Sequence, residues 1–168
     1  MTRIGLLSDT HGHCDDRILH HLQKCDEIWH AGDVGDPLVL EQLASVVPVK
    51  GVHGNIDGTD VRKILPANLR FKCEEVDVWI THIGGRPPRY DRFVRDELLK
   101  HPPGLFICGH SHILKVEFDK KLQMLYMNPG AAGRHGFHKM RTMLRFQIDG
   151  KKIGKLEVVE LGQRGSLK

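Results

Sequence analysis

A chain of 168 residues, 40% hydrophobic and 27% charged, has the size and balance of one globular domain with a sizeable core, expected here over residues 1–168. No apolar run approaches the roughly 18 residues of a membrane span, and the Met1-Thr2-Arg3 start lacks a leader's long apolar stretch, so a cytoplasmic protein without a membrane partner is expected. The formal charge of +4 is dispersed, which argues against a dedicated nucleic-acid partner, and four cysteines without a Cys-x-x-Cys pair argue against a disulfide framework or thiolate zinc knot.

In chain order, Arg3 to Ser8 reads as a strand, and Asp15 to Gln23 has helical spacing at Ile18, Leu19 and Leu22. Glu27 to Ala31 is a second strand, and Pro37 to Leu43 a second helix opened by its proline. Val46 to Val52 is a third strand, with Pro48 marking an irregularity or an edge, and a short helix follows near Val61 to Leu65. This alternation predicts βαβ units with parallel pairing. Leu69 to Glu74 and Val76 to Thr81 are adjacent strands, Arg89 to Lys100 a helix stopped by Pro102 and Pro103, and Leu105 to Cys108 a buried apolar strand. Lys115 to Asp119 with Leu122 to Met127, and Met143 to Ile148 with Lys155 to Glu160, read as antiparallel hairpins. The expected fold class is α/β: a mixed β-sandwich flanked by helices.

Five apolar runs end in groups able to bind metal: Asp9-Thr10-His11, Gly32-Asp33, Gly54-Asn55-Ile56-Asp57, Thr81-His82 and Gly109-His110-Ser111-His112. The carboxyl ends of strands form one rim, where ligands bind in open α/β sheets. In an extended segment Asp9 and His11 would project to the same side and share one ion. Gly32, Gly54 and Gly109 would let backbones crowd beside a ligand. Imidazole with carboxylate or amide oxygen, without thiolate, suits manganese, iron, nickel or zinc.

Asp-x-His, Gly-Asp, Gly-Asn-x-Asp, a lone His and Gly-His-x-His, in that order from about Ile4 to Gly133, resemble the calcineurin-like metallophosphoesterase superfamily. The short length most resembles its small bacterial and archaeal phosphodiesterases and a related retromer coat subunit. The resemblance implies an αββα sandwich of two mixed sheets. It also implies two divalent ions, with manganese the first choice and iron, nickel or zinc as substitutes. Asp9, His11 and His112 would hold the first ion, Asn55, His82 and His110 the second, and Asp33 would bridge them. A hydroxide between ions about 3.5–4 Å apart would attack a small phosphodiester substrate, with Asp33, Asn55 and His110 the residues on which catalysis turns.

Many members carry His after the motif Asn; here Ile56 can neither give nor take a proton, so help for poor leaving groups is in question. The alternative is a non-catalytic metal-binding scaffold for protein interactions. Asp36 and Asp57 are either hydrogen-bonding partners of ligand histidines or turn carboxylates, and Arg86 and Arg89 could meet substrate phosphate. His13, His30 and His53 could support loops or act in chemistry, Asn128-Pro129-Gly130 reads as a structural turn, and His135 and His138 carry no assignment. A homo-oligomer is compatible with the sequence.

Overall fold

The computed structural model describes residues 1–165. Its first half comprises β1 (Thr2–Leu7), α1 (Asp16–Leu22), β2 (Glu27–His30), α2 (Pro37–Ala44), β3 (Val49–Gly51), α3 (Thr59–Ile64), β4 (Asn68–Cys73) and β5 (Val76–Thr81). Then follow β6 (Gly85–Arg86), β7 (Arg89–Tyr90), α4 (Arg92–Lys100), β8 (Leu105–Ile107), β9 (Leu114–Asp119), β10 (Met124–Pro129), β11 (Met140–Asp149) and β12 (Lys152–Gln163).

Two five-stranded mixed sheets form, in the orders β12-β11-β1-β2-β3 and β4-β5-β8-β10-β9. In the first, β1, β2 and β3 are parallel and β11 is antiparallel to β1. In the second, β5, β8 and β10 are parallel, with β4 and β9 antiparallel at the edges.

Alternation along the strands makes three apolar layers. Ile4, Leu6 and Trp29 from one sheet meet Val78, Ile80, Leu105 and Ile107 from the other in the central layer. Leu7 and Ile28 point the opposite way, onto Ile18 and Leu22 of α1, Val39 and Leu43 of α2 and Val61 of α3. Phe106 and Cys108 likewise pack with Val94 and Leu98 of α4. The result is the expected sandwich of two mixed sheets flanked by helices. Central strands covered on both faces have no polar side to show, so their sequences read as unbroken apolar runs.

Several boundaries differ from the sequence reading. The third strand is only Val49–Gly51, because Pro48 has no N–H for the ladder and the segment before it turns. The fourth helix begins at Arg92, since the Asp91 side chain caps it by accepting from the Phe93 N–H at 2.9 Å. Arg89 and Tyr90 belong instead to a small hairpin with Gly85 and Arg86. The last two strands run further than expected at both ends. No helix among the described residues is long and apolar enough to cross a membrane.

Candidate metal centre

β1, β2 and β3 of one sheet and β5 and β8 of the other point their carboxyl ends at the same rim, and each is followed by polar residues. The chain leaves β1 sharply. Asp9 and His11 have φ of 54° and 46°, Asp33 has 54°, His110 has 68° and His112 has 59°. These are five of the eight non-glycine residues with positive φ among the described residues. Each left-handed non-glycine residue costs on the order of 1 kcal/mol or more, so such clustering marks a site where geometry is enforced. Asp9 and His11 therefore do not converge through strand alternation, as expected from the sequence. β1 has ended at Leu7, and the tight turn after it swings both side chains inward.

Two groups of donors result. The ligand atoms of Asp9, His11 and His112 lie within 4.8 Å of one another, as do those of Asp33, His82 and His110. In each carboxylate the protein holds one oxygen and leaves the other open. Asp9 Oδ2 accepts from Ser8 Oγ at 2.6 Å and from the His110 N–H at 3.1 Å. Asp9 Oδ1 faces His112 Nε2 at 3.2 Å. Asp33 Oδ1 accepts from the Ile56 N–H at 3.1 Å, while Oδ2 stands between His82 Nε2 at 3.2 Å and His11 Nε2 at 3.5 Å. That oxygen thus touches both groups. Asn55 lines the cavity shared by Asp33 and His110.

The donors fit divalent cations. Asp9 Oδ1, His11 Nε2 and His82 Nε2 are buried without a hydrogen bond, an arrangement costing about 1–3 kcal/mol per atom unless a partner arrives. His82 Nδ1 lies 2.8 Å from the Ala31 carbonyl, which can only accept. Nδ1 therefore carries a proton, which leaves Nε2, facing the carboxylates, as the atom able to meet a metal, as in a ligand histidine. Burial alone would lower the His82 pKa. Asp33 and Asp9 outweigh it, so the ring sits above its ordinary value, and His82 in return holds Asp33 below the usual carboxylate range despite burial. His11 goes the other way, lowered by burial against the pull of Asp33 and Asp9. Close backbone approach is required at two glycines. A Cβ on Gly54 would lie 2.0 Å from Asp33 Oδ1, and on Gly109 2.1 Å from Ser8 Oγ.

Other expected residues take different places. Asp36 caps α2 through the Leu38 N–H, and Asp57 accepts from the N–H groups of Val34, Gly35 and Gly54. Neither is bonded to a ligand histidine; both are turn carboxylates, Asp57 holding the Asp33 loop against the Asn55 loop. Arg86 and Arg89 line a cavity of about 390 Å³. It adjoins the donor cavity of about 540 Å³ and shares His110, Ser111 and Ile113 with it. His13 pairs with Asp15 at 3.1 Å. Asn128 holds the His110 loop by donating to the Gly109 carbonyl and to Ser111 Oγ.

Sequence reasoning left His30 open between loop support and chemistry, and it missed two further features, Arg141 and the His135 and His138 rings. His30 Nδ1 accepts from the Gly32 N–H, which leaves Nε2–H to donate to Thr10 Oγ1, and Thr10 donates to the Val34 carbonyl. This chain locks the Asp9 and Asp33 loops together. Arg141, fully buried, reaches the Ala132 carbonyl and Asp15. The rings of His135 and His138 approach His11 and His112, at 4.8 and 5.2 Å between centroids. Only Ser8 and His30, adjoining motifs, carried any signal in the sequence.

A Methanothermobacter thermautotrophicus protein described as a "Probable metallophosphoesterase" is 29% identical over 169 residues, covering 95% of this chain and 92% of its own. An archaeal phosphodiesterase structure matches with TM-score 0.76 at 18% identity, over 95% of this chain and 99% of its own. Wild-type Vps29 of Entamoeba histolytica, solved with zinc, matches with TM-score 0.72 at 14% identity, over 97% of this chain and 99% of its own. Residues 2–151 match the family model of the calcineurin-like phosphoesterase superfamily domain, and the chain belongs to that superfamily.

Proposed function

We propose that this metallophosphoesterase is a phosphodiesterase working with two divalent ions, manganese first among them. The observation that carries the reading is Asp33 Oδ2, which lies within 3.5 Å of a histidine from each donor group. Asp9, His11 and His112 would hold one ion, Asn55, His82 and His110 the other, and Asp33 both. When bound, the pair would supply Lewis acidity at the attacking and leaving oxygens and a hydroxide nucleophile at neutral pH.

The chain's own residues do the positioning. Ser8 and the His110 N–H orient Asp9, the Ile56 N–H orients Asp33, and the Ala31 carbonyl orients His82. No proton donor stands at Ile56, which is 47% exposed and lines the donor cavity. The leaving oxygen must then depart with little protonation, which favours acidic leaving groups.

The test is hydrolysis of bis(p-nitrophenyl) phosphate by manganese-loaded protein, alongside elemental analysis. The reading expects two ions per chain and a diester rate above that of p-nitrophenyl phosphate. The second reading, a non-catalytic metal-binding scaffold, draws on the apolar residue at position 56 and the likeness to Vps29. It expects bound metal with no turnover of either ester.

A further inference from the structure

We propose that the cavity beside His110 is a subsite for one arm of the substrate, a nucleoside-sized group carrying a second phosphate held by Arg86 and Arg89. This rests on the phosphodiesterase reading and names its substrate class. The cavity lies next to the donors rather than over them: of the donor residues only His110 lines it, while Asp33, Asn55, His11 and His112 line the neighbouring one. An anion bound by the arginines would therefore differ from the phosphate undergoing attack.

The lining is cationic, with Arg86, Arg89 and Lys115 against Asp91 alone. Lys115 is paired with Glu117 at 2.9 Å, and the Asp91 carboxylate is engaged as the cap of α4. The Arg86 and Arg89 side chains make no hydrogen bond or ion pair with the described residues, so both guanidiniums are available to a dianion, whose oxygens match their forked donors. In the same cavity Ile83 and Ile113 are 37% and 57% exposed and offer apolar wall to a flat ring. A volume of about 390 Å³ suits a nucleoside-sized body, within the roughly 300–1,000 Å³ of small-molecule sites.

The arginines sit on a hairpin held in place. The Gly85 carbonyl accepts from Tyr126 Oη at 2.7 Å, the Gly84 carbonyl from the Asp91 N–H at 3.0 Å, and Tyr90 donates to Asp119. The backbone is thus fixed before an anion arrives, and only the side-chain freedom of the two arginines is lost on binding.

The test uses metal-loaded full chain and two diesters with the same leaving group: thymidine 5′-(p-nitrophenyl phosphate) and its 3′-phosphorylated form. Both release p-nitrophenolate, so they differ only in the distal phosphate. The phosphorylated diester should show kcat/KM higher by about tenfold or more, the worth of a charge-assisted contact, and R86Q/R89Q should bring the ratio close to one. Equal kcat/KM in the wild type overturns the subsite. A calorimetric comparison of thymidine 3′,5′-bisphosphate with thymidine 5′-phosphate reads the same discrimination without turnover. Tighter binding of the bisphosphate that R86Q/R89Q abolishes supports the subsite even if no diester is hydrolysed, and then only the phosphodiesterase reading falls. Equal affinities, or a preference that survives R86Q/R89Q, overturn the subsite while bis(p-nitrophenyl) phosphate turnover still upholds that reading.

Discussion

Asp33 has one oxygen tied to the Ile56 N–H and the other facing His11 and His82. Asp33→Asn keeps the shape but removes the charge that two cations would share. Metal content should fall at both sites, and turnover by more than about 100-fold, beyond the usual cost of altering a partner outside the ligand set. His112→Ala should cost mainly one equivalent. Elemental analysis of both variants reads this directly, and two retained ions with full turnover in Asp33→Asn would remove Asp33 from the ligand set. The 47% exposed Ile56 makes a second prediction. Wild-type rates should fall steeply as leaving-group pKa rises, and Ile56→His should raise the rate on alkyl esters more than on aryl ones, by up to about 100-fold. A flat dependence, measured where chemistry limits turnover, would point to another proton donor.

At the scale of elements, the end of β2 is a clamp. Its last residue, His30, is fully buried and accepts from the Gly32 N–H through Nδ1, a bond that only the neutral ring can make. Burial pushes its pKa down from 6.5 to about 4. Above pH 6.5 the ring is neutral in both folded and unfolded chains, so its protonation takes nothing from stability. As pH falls from 6.5 toward 4 the unfolded chain gains a proton that the folded one refuses, and stability drops by on the order of 3 kcal/mol. Urea unfolding of metal-free protein at several pH values should show this decline. His30→Gln should lose stability more gently over the same window, and parallel curves would mean that His30 does not titrate this way.

For the whole molecule, the rim draws strands from both sheets, so occupancy of the proposed centre would tie the two halves of the sandwich together. Asp9 and His11 follow β1 of one sheet, and His110 and His112 follow β8 of the other. A ligand that binds only the folded state stabilises it by about 2.7 kcal/mol at a hundred times its dissociation constant. For a chain of this size that corresponds to a rise in Tm of roughly 5–10 °C per site. Manganese should raise Tm in two saturable stages and a chelator should reverse both. A Tm indifferent to metal, beside an intact far-ultraviolet spectrum, would argue against a centre shared between the sheets.

What the sequence determined by itself was the layered fold and which polar residues end its strands at the rim. Apolar runs specify strands covered on both faces, and an Asp, Asn or His interrupting the end of such a run has no place in the core. Asp9, Asp33, Asn55, His82 and His110 were therefore legible as rim residues. Helix starts were less so: the cap at Asp91 lay within a pattern that reads helical from Arg89. Only the tertiary structure decided the rest. Left-handed turns at Asp9, His11, Asp33, His110 and His112 replace the expected strand alternation. Asp57 holds loops instead of a histidine, and Arg86 and Arg89 line a cavity that adjoins the donor cavity at His110. These outcomes depend on how two sheets, distant in sequence, are set against each other at the rim. Local periodicity reports which face a residue shows, whereas the orientation of a loop side chain is fixed by the backbone donors and carbonyls that packing brings beside it.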